Sequence, residues 1–93
     1  MMRLIKYTTQ FKKDYKREKK SGHKNFDHDF ITVIKMLEID EPLPLRYHDH
    51  PLNGEWKDFR DCHIKPDLLL IYSKPDSKTL VLARLGSHSE LLY

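Results

Sequence analysis

Ninety-three residues suffice for one small domain and are too few for two cores. A hydrophobic share of 39% beside 33% charged residues excludes a disordered chain, and no apolar run nears the roughly 20 residues of a bilayer span. The formal charge of +3 hides a split: from Arg3 to Lys24, nine Lys or Arg stand against Asp14 and Glu18, a balance of +7 that leaves −4 for the rest. Such a basic front is an electrostatic footprint for nucleic acid or an acidic partner, or a solvated helix face. The lone Cys62 forms no internal disulfide, and "MMRLIKYTTQ" has neither a secretory apolar core nor a cleavage site. These features point to the cytoplasm and to no membrane partner.

In chain order, the alternation in "RLIKY" predicts a short strand over Arg3–Tyr7. Thr8 or Thr9 then caps a helix by accepting a backbone N–H bond. Phe11 and Tyr15 share one face of it, with Lys12, Lys13, Lys16, Arg17, Lys19 and Lys20 largely around the others. Ser21 and Gly22 end it, since Gly tolerates the left-handed conformation at a helix C-terminus. A second helix, capped near Asn25, carries Phe26, Phe30, Val33, Ile34 and Leu37 at helical spacing. It stops at "EPLPL", where Pro42 and Pro44 remove donors. Three strands are expected next, Lys57–Ile64, Leu68–Ser73 and Thr79–Leu85, joined by "KPD" and "KPDSK" into an antiparallel meander. "LLLIY" is apolar throughout, as suits a central strand covered on both faces, and "GSHSELLY" closes with a helical turn. The expectation is an α+β domain: an N-terminal helical hairpin packed on a twisted, mainly antiparallel four- to five-stranded sheet.

The block "HDHPLNGEWKDFRDCHIKPD" crowds His48, His50 and His63 among Asp49, Glu55, Asp58, Asp61 and Asp67. Period-2 geometry puts Phe59, Asp61 and His63 on one strand face and Arg60, Cys62 and Ile64 on the other; Leu80, Leu82 and Arg84 likewise share a face. With helices on one side of the sheet, His63, Asp67 and Arg84 are expected to converge in a concave pocket on the other. His50 arrives from the preceding loop and His88 from the tail. Such a group suits cleavage of RNA by its own 2′-hydroxyl, which needs a base for that hydroxyl and an acid for the departing 5′-oxygen. Histidine serves as either near neutral pH, and a guanidinium meets the phosphorane charge with paired donors. No metal or other cofactor is required. A zinc site of His48, His50, Cys62 and His63 lacks the paired spacing such sites use. Trp56 packs the core edge or stacks on a base, Cys62 reads as a small buried hydrophobe, and His23 and His28 read as surface histidines.

The segments "YHDHPLNGEWKDFRDCHIKPDLLLIY" and "ARLGSHSELLY" resemble the YafQ branch of the RelE/ParE toxin superfamily, and the likeness covers nearly the whole chain. It implies a RelE-like fold, one toxin domain over residues 1–93, and a bacterial type II toxin–antitoxin module. Such toxins cut mRNA in the ribosomal A site and are silenced by a cognate antitoxin, expected here from an upstream gene. Matched by motif, His50 in "DHPL", His63 in "RDCHI", Asp67 in "KPD" and His88 in "LGSH" take the acid–base positions, and Arg84 in "ARLG" the phosphate-binding one. The assignment expected is His50 and Asp67 on the base side, with His63 and His88 donating protons or stabilising the transition state. Asp61 is a further candidate from its strand face alone. Leu68 stands where the family's namesake has Trp, and Leu92 where the family often has an aromatic; Tyr93 follows as a substitute for base stacking. The lysine-rich helix is expected to contact the ribosome or RNA. Two other readings stand beside this one: a non-catalytic ParE-like toxin inhibiting a protein target such as gyrase, and a plain RNA-binding module.

Overall fold

The structure, a computed structural model, describes residues 2–21 and 25–91. Gly22 and His23 of the predicted helix junction, and Leu92 and Tyr93 of the tail, lie outside the described residues. The elements run β1 (Leu4–Tyr7), α1 (Thr9–Lys20), α2 (Asp27–Glu38), β2 (His50–Pro51), β3 (Arg60–Lys65), β4 (Leu68–Ser73), β5 (Thr79–Gly86) and α3 (His88–Leu91).

Thr8 caps α1 as the sequence suggests, its Oγ1 accepting the Phe11 N–H at 2.9 Å. Asn25 does not cap α2. It sits in the left-handed region at φ 63°, and Phe26 takes the cap position without a side-chain bond. Asp27 and Asp29 in the first turn supply the negative charge that a helix N-terminus favours. Tyr15 donates its hydroxyl to Asp27 at 3.0 Å and Lys19 pairs with the same carboxylate, so the two helices are tied side by side.

The strand order is β1-β5-β4-β3-β2, antiparallel except for the parallel β1–β5 pair, whose crossover begins with the helical hairpin. β4 runs down the centre. Its Leu68, Leu70 and Tyr72 join Phe11, Phe26, Val33 and Leu37 under the helices. Its Leu69 and Ile71 join Ala83 and Leu91 on the far face, with Leu52, Trp56 and Phe59 packed against them. That double burial is why "LLLIY" carries no polar residue. β3 starts later than its sequence suggests, because Gly54–Trp56 is a 3-10 turn and Phe59 N–H is spent on Trp56 O at 2.8 Å.

Both edge strands are short. β1 pairs only with Thr79 to Leu82 of β5, and β2 only with Arg60 and Asp61 of β3. The far half of β5 and the far half of β3 therefore need other partners for their outward backbone groups.

Candidate active site

Cross-strand register places His50, Asp61, Ile71 and Arg84 in one row across β2, β3, β4 and β5. Residues paired in this way point to the same face, here the face away from the helices. His63, Leu69 and Gly86 form the next row, and His88 opens α3 just beyond Gly86. At a strand spacing of about 4.8 Å, His50 and Arg84 are about 14 Å apart and His63 and Gly86 about 10 Å.

Arg84 reaches this face only through a bulge. Plain alternation puts it with Leu80 and Leu82, as the sequence suggests. Instead the pairing jumps from Tyr72–Leu82 to Ile71–Arg84, leaving Ala83 as an extra residue that turns Arg84 to the opposite side. Thr8 at the start of α1 holds the bulge, its N–H bonding Leu82 O at 3.1 Å and its Oγ1 donating to Ala83 O at 2.8 Å.

Asp61 is the buried centre of the site, its side chain 1% exposed. Burial pushes its carboxyl above the ordinary carboxylate value, against the attraction of His50, His63 and His88. Among the described residues its Oδ1 has no conventional donor; His50 Nε2 stands 3.0 Å away. The other His50 nitrogen, Nδ1, lies 2.7 Å from the His48 carbonyl, which only accepts, so Nδ1 bears a hydrogen. In neutral His50, Nε2 then has none, and two acceptors would face each other. The approach is an ion pair only when His50 carries a second proton.

The loop carrying His50 is anchored by Asp49, which accepts from Tyr72 OH at 2.6 Å and from Arg60 Nε and Nη2 at 3.3 Å. His48 beside it holds a left-handed backbone, φ 49°, a conformation that costs energy for a non-glycine residue and concentrates at functional sites. His63 Nδ1 faces Pro66 O at 3.3 Å, which places the hydrogen on Nδ1 and leaves the Nε2 lone pair available in the neutral ring.

A cleft of about 680 Å³ opens where β2 leaves β3 uncovered, lined by His48, His50 and His63 together with Arg46, Lys65 and Asp29. Lys65 pairs with Asp29 at 2.6 Å, and the Arg46 guanidinium lies 4.8 Å from the Tyr47 ring centre. No motif spacing marks Arg46, Lys65 or Asp49 in the sequence; the pairing of β2 with β3 brings them in. Asp67 is exposed in the β3–β4 turn, next to Pro66 at the end of this cleft. Arg84 and His88 share the sheet face but are not part of the cleft wall. Arg84 is turned toward α1, donating from Nε to Asp14 Oδ2 at 2.7 Å, and His88 is exposed. The single converging pocket expected from sequence is thus a row of groups with a cleft at one end.

Leu68 is buried among the helix-facing residues, away from the catalytic face. Leu92 and Tyr93 lie outside the described residues. Trp56 packs edge-on against Phe59, ring centres 5.0 Å apart. Cys62 faces the helices, fully buried, and burial pushes its thiol up. It cannot join His63 in a metal site, and among the described residues no three His, Cys, Asp or Glu side chains converge as one would require. Of the basic face, Lys12, Lys13, Lys16 and Lys20 are exposed. Lys19 is also exposed but pairs with Asp27 at the surface, and Arg17 is half-buried and bonded to Asp14, Glu18 and Leu85 O, so fewer free cations remain on this face than the sequence suggests. No helix among the described residues is long and apolar enough to cross a membrane.

A family model described as the bacterial toxin of type II toxin–antitoxin systems, YafQ, matches residues 3–93. The mRNA interferase toxin YafQ of Escherichia coli K12 is 40% identical over 91 residues, covering 98% of this chain and 97% of the relative. The crystal structure of the E. coli DinJ–YafQ toxin–antitoxin complex contains a chain that superposes with a TM-score of 0.86 at 38% identity, covering 100% of both. A metal-bound toxin from Helicobacter pylori superposes at 0.85 with 46% identity, covering 99% of this chain and 100% of that one.

Proposed function

We propose a function from one premise: this chain belongs to the YafQ family, bacterial toxins of type II toxin–antitoxin systems, and has an α+β, RelE-like fold. Its curated E. coli relatives are named mRNA interferases, and the chain is an endoribonuclease of that kind. It cleaves mRNA in the A site of the translating ribosome, in the cytoplasm, by attack of the RNA's own 2′-hydroxyl. The observation that carries this reading is the 3.0 Å approach of His50 Nε2 to the buried Asp61 carboxyl, at the edge of a cleft that His48 and His63 also line.

His63 Nε2 takes the 2′-hydroxyl proton as the 2′-oxygen attacks phosphorus. His50 gives its Nε2 proton to the 5′-oxygen as the P–O5′ bond breaks, leaving a 2′,3′-cyclic phosphate and a 5′-hydroxyl. The loss leaves half-exposed Nε2 facing the buried Asp61 carboxyl, which favours taking a proton back from solvent. This division reverses the roles that motif matching suggests for His50 and His63. Asp67 and His88 flank the pair in supporting acid–base places. Arg84 stabilises charge on the nonbridging oxygens with the donors it does not give to Asp14. The exposed lysines of α1 hold ribosomal phosphates, and a cognate antitoxin silences the site.

Primer extension on mRNA in translating extracts tests this reading, using protein stripped of metals with a chelator and desalted beforehand. Cleavage within codons that requires ribosomes is expected. Intact mRNA together with inhibition of a protein target such as gyrase overturns the reading in favour of a ParE-like toxin.

A further inference from the structure

Asp14 has no part in the chemistry above, yet it is fully buried on a helix otherwise rich in exposed lysine. A carboxylate in such a place is tolerable only when hydrogen-bonded throughout. Its Oδ2 accepts from Arg84 Nε at 2.7 Å and from the Leu85 N–H at 3.0 Å. Its Oδ1 accepts from Arg17 Nη1 at 2.8 Å, Gln10 Nε2 at 3.2 Å and Arg84 Nη2 at 3.3 Å. Burial pushes this carboxyl up, but the bonds, Arg84's foremost, more than reverse the effect and hold it below its ordinary value.

These contacts lie where β1 stops. Beyond Leu82, β5 has no neighbouring strand on that side among the described residues, and side chains of α1 take the strand's place. Asp14 receives the Leu85 N–H, and Arg17 Nη2 donates to Leu85 O at 2.7 Å. Arg17 also lies 3.5 Å from Glu90 on α3, and Glu90 accepts the Ser87 N–H at the start of that helix at 2.9 Å. Gly86 makes the approach possible, because a Cβ there would stand 2.7 Å from Arg17 Nη2. One carboxylate thus grips the Arg84 guanidinium and, through Arg17 and Glu90, connects it to the helix that bears His88.

We propose that Asp14 is the positioning residue for Arg84, fixing its guanidinium across the open edge of β5 so that α1, the helix with the basic face, sets the phosphate-binding geometry. This rests on reading Arg84 as the phosphate-binding group. The Nε–Nη2 side of the guanidinium is spent on Asp14, and the Nη1–Nη2 side is left for a phosphate in a fixed plane. Holding that plane before substrate arrives spares the reorganisation that a mobile arginine would need during the reaction.

Two measurements test it. In the parent protein, NMR coupling across the hydrogen bond from Arg84 Nε to the Asp14 carboxyl carbon is expected; its absence in folded protein overturns the proposal whatever the protein cleaves. In the cleavage assay, Asp14→Asn, Arg84→Ala and the double variant form a cycle. Asp14→Asn is expected to lower the rate at saturating programmed ribosomes by about 10-fold while KM stays within about 2-fold, and the double variant to be no slower than Arg84→Ala alone. Additive losses overturn the proposal, as does a fall in rate that merely follows a lower Tm. A parent protein that cleaves nothing defeats the functional reading instead, and the NMR arm then decides the clamp by itself; it also decides if Asp14→Asn does not fold.

Discussion

Asp14 on α1 and Asp61 on β3 are two buried carboxylates packed against the same small sheet, and the fold treats them in opposite ways. Asp14 has donors on both oxygens and is held below the ordinary carboxylate value. Asp61 has an oxygen whose close neighbour is a histidine, and burial raises it. Each stands beside a strand that its neighbour covers only in part. At β5 the gap is filled by side chains of α1; at β3 it is left as the cleft that His48, His50 and His63 line. A fully satisfied carboxylate makes a rigid joint. An unsatisfied carboxyl raised by burial, beside a histidine, is the kind of group found at acid–base sites.

The comparison breaks most visibly at the β3 edge. His50→Ala and His63→Ala are each expected to reduce cleavage about 10²-fold or more, the scale of a lost general acid or base, and His88→Ala to follow them. Near-normal primer-extension products from all three folded variants would leave the open edge without a chemical purpose.

Asp61→Asn sharpens the contrast, because activity and stability should move in opposite directions. A carboxyl raised on folding contributes stability at low pH that is lost as pH rises through its folded value. At pH 7 the parent therefore carries a charge cost that Asn removes, while Asn can still donate to His50 Nε2. Cleavage should fall about 10-fold or more, with Tm at pH 7 equal to or above the parent's and the advantage shrinking toward acid. A large drop in Tm at pH 7 would mean that Asp61 is a structural anion.

Asp14→Ala should do the reverse to stability. Removing it strands Arg84 and the Leu85 N–H, and urea unfolding at pH 7 should show a loss of about 2–3 kcal/mol, less than for a fully enclosed pair because both arginines reach solvent. A carboxyl lowered on folding contributes stability above its unfolded value that is lost as pH falls through its folded one. The gap between parent and variant should therefore narrow below about pH 4. A gap that is constant from neutral pH into that acid range would place the effect in packing alone.

Smaller effects belong to the outer faces. Reversing Lys12, Lys13 and Lys16 to Glu should leave the fold intact and weaken ribosome binding, with a log–log salt slope shallower by about 2–3; unchanged, salt-independent affinity would assign these charges to solubility. His28 is exposed on α2, and His28→Ala should alter stability by less than about 0.5 kcal/mol and cleavage not measurably.

Much of this contrast can be read only in part from the amino acids. The face shared by Asp61 and His63 follows from period-2 alternation in β3, and the pairing of Asp61 with Ile71 keeps it. The side of Arg84 does not follow, because one extra residue at Ala83 inverts the alternation. Asn25 looks like a cap and is not one, since capping needs an extended backbone and Asn25 has φ 63°. Arg17 and Lys19 look like members of a solvated basic stripe; Asp14 and Glu18 lie within a helical turn of Arg17, but nothing local reveals its reach to Leu85 O and Glu90 or the pairing of Lys19 with Asp27.

By itself the sequence determined what depends on near neighbours along the chain. The amphipathic helices, the Thr8 cap, the Leu68–Ser73 strand and its burial on both faces, and the histidine-rich block before it all arise from spacing over a few residues. Tertiary structure alone decided register and the fate of buried charge: the bulge at Ala83, the two-residue β2 that brings His50 to Asp61, and the grip of Asp14 on Arg84. The physical reason is separation. Arg84 and Asp14 lie 70 positions apart, and whether a buried carboxylate is fully bonded or left short of donors depends on which groups the folded chain carries to it across such distances.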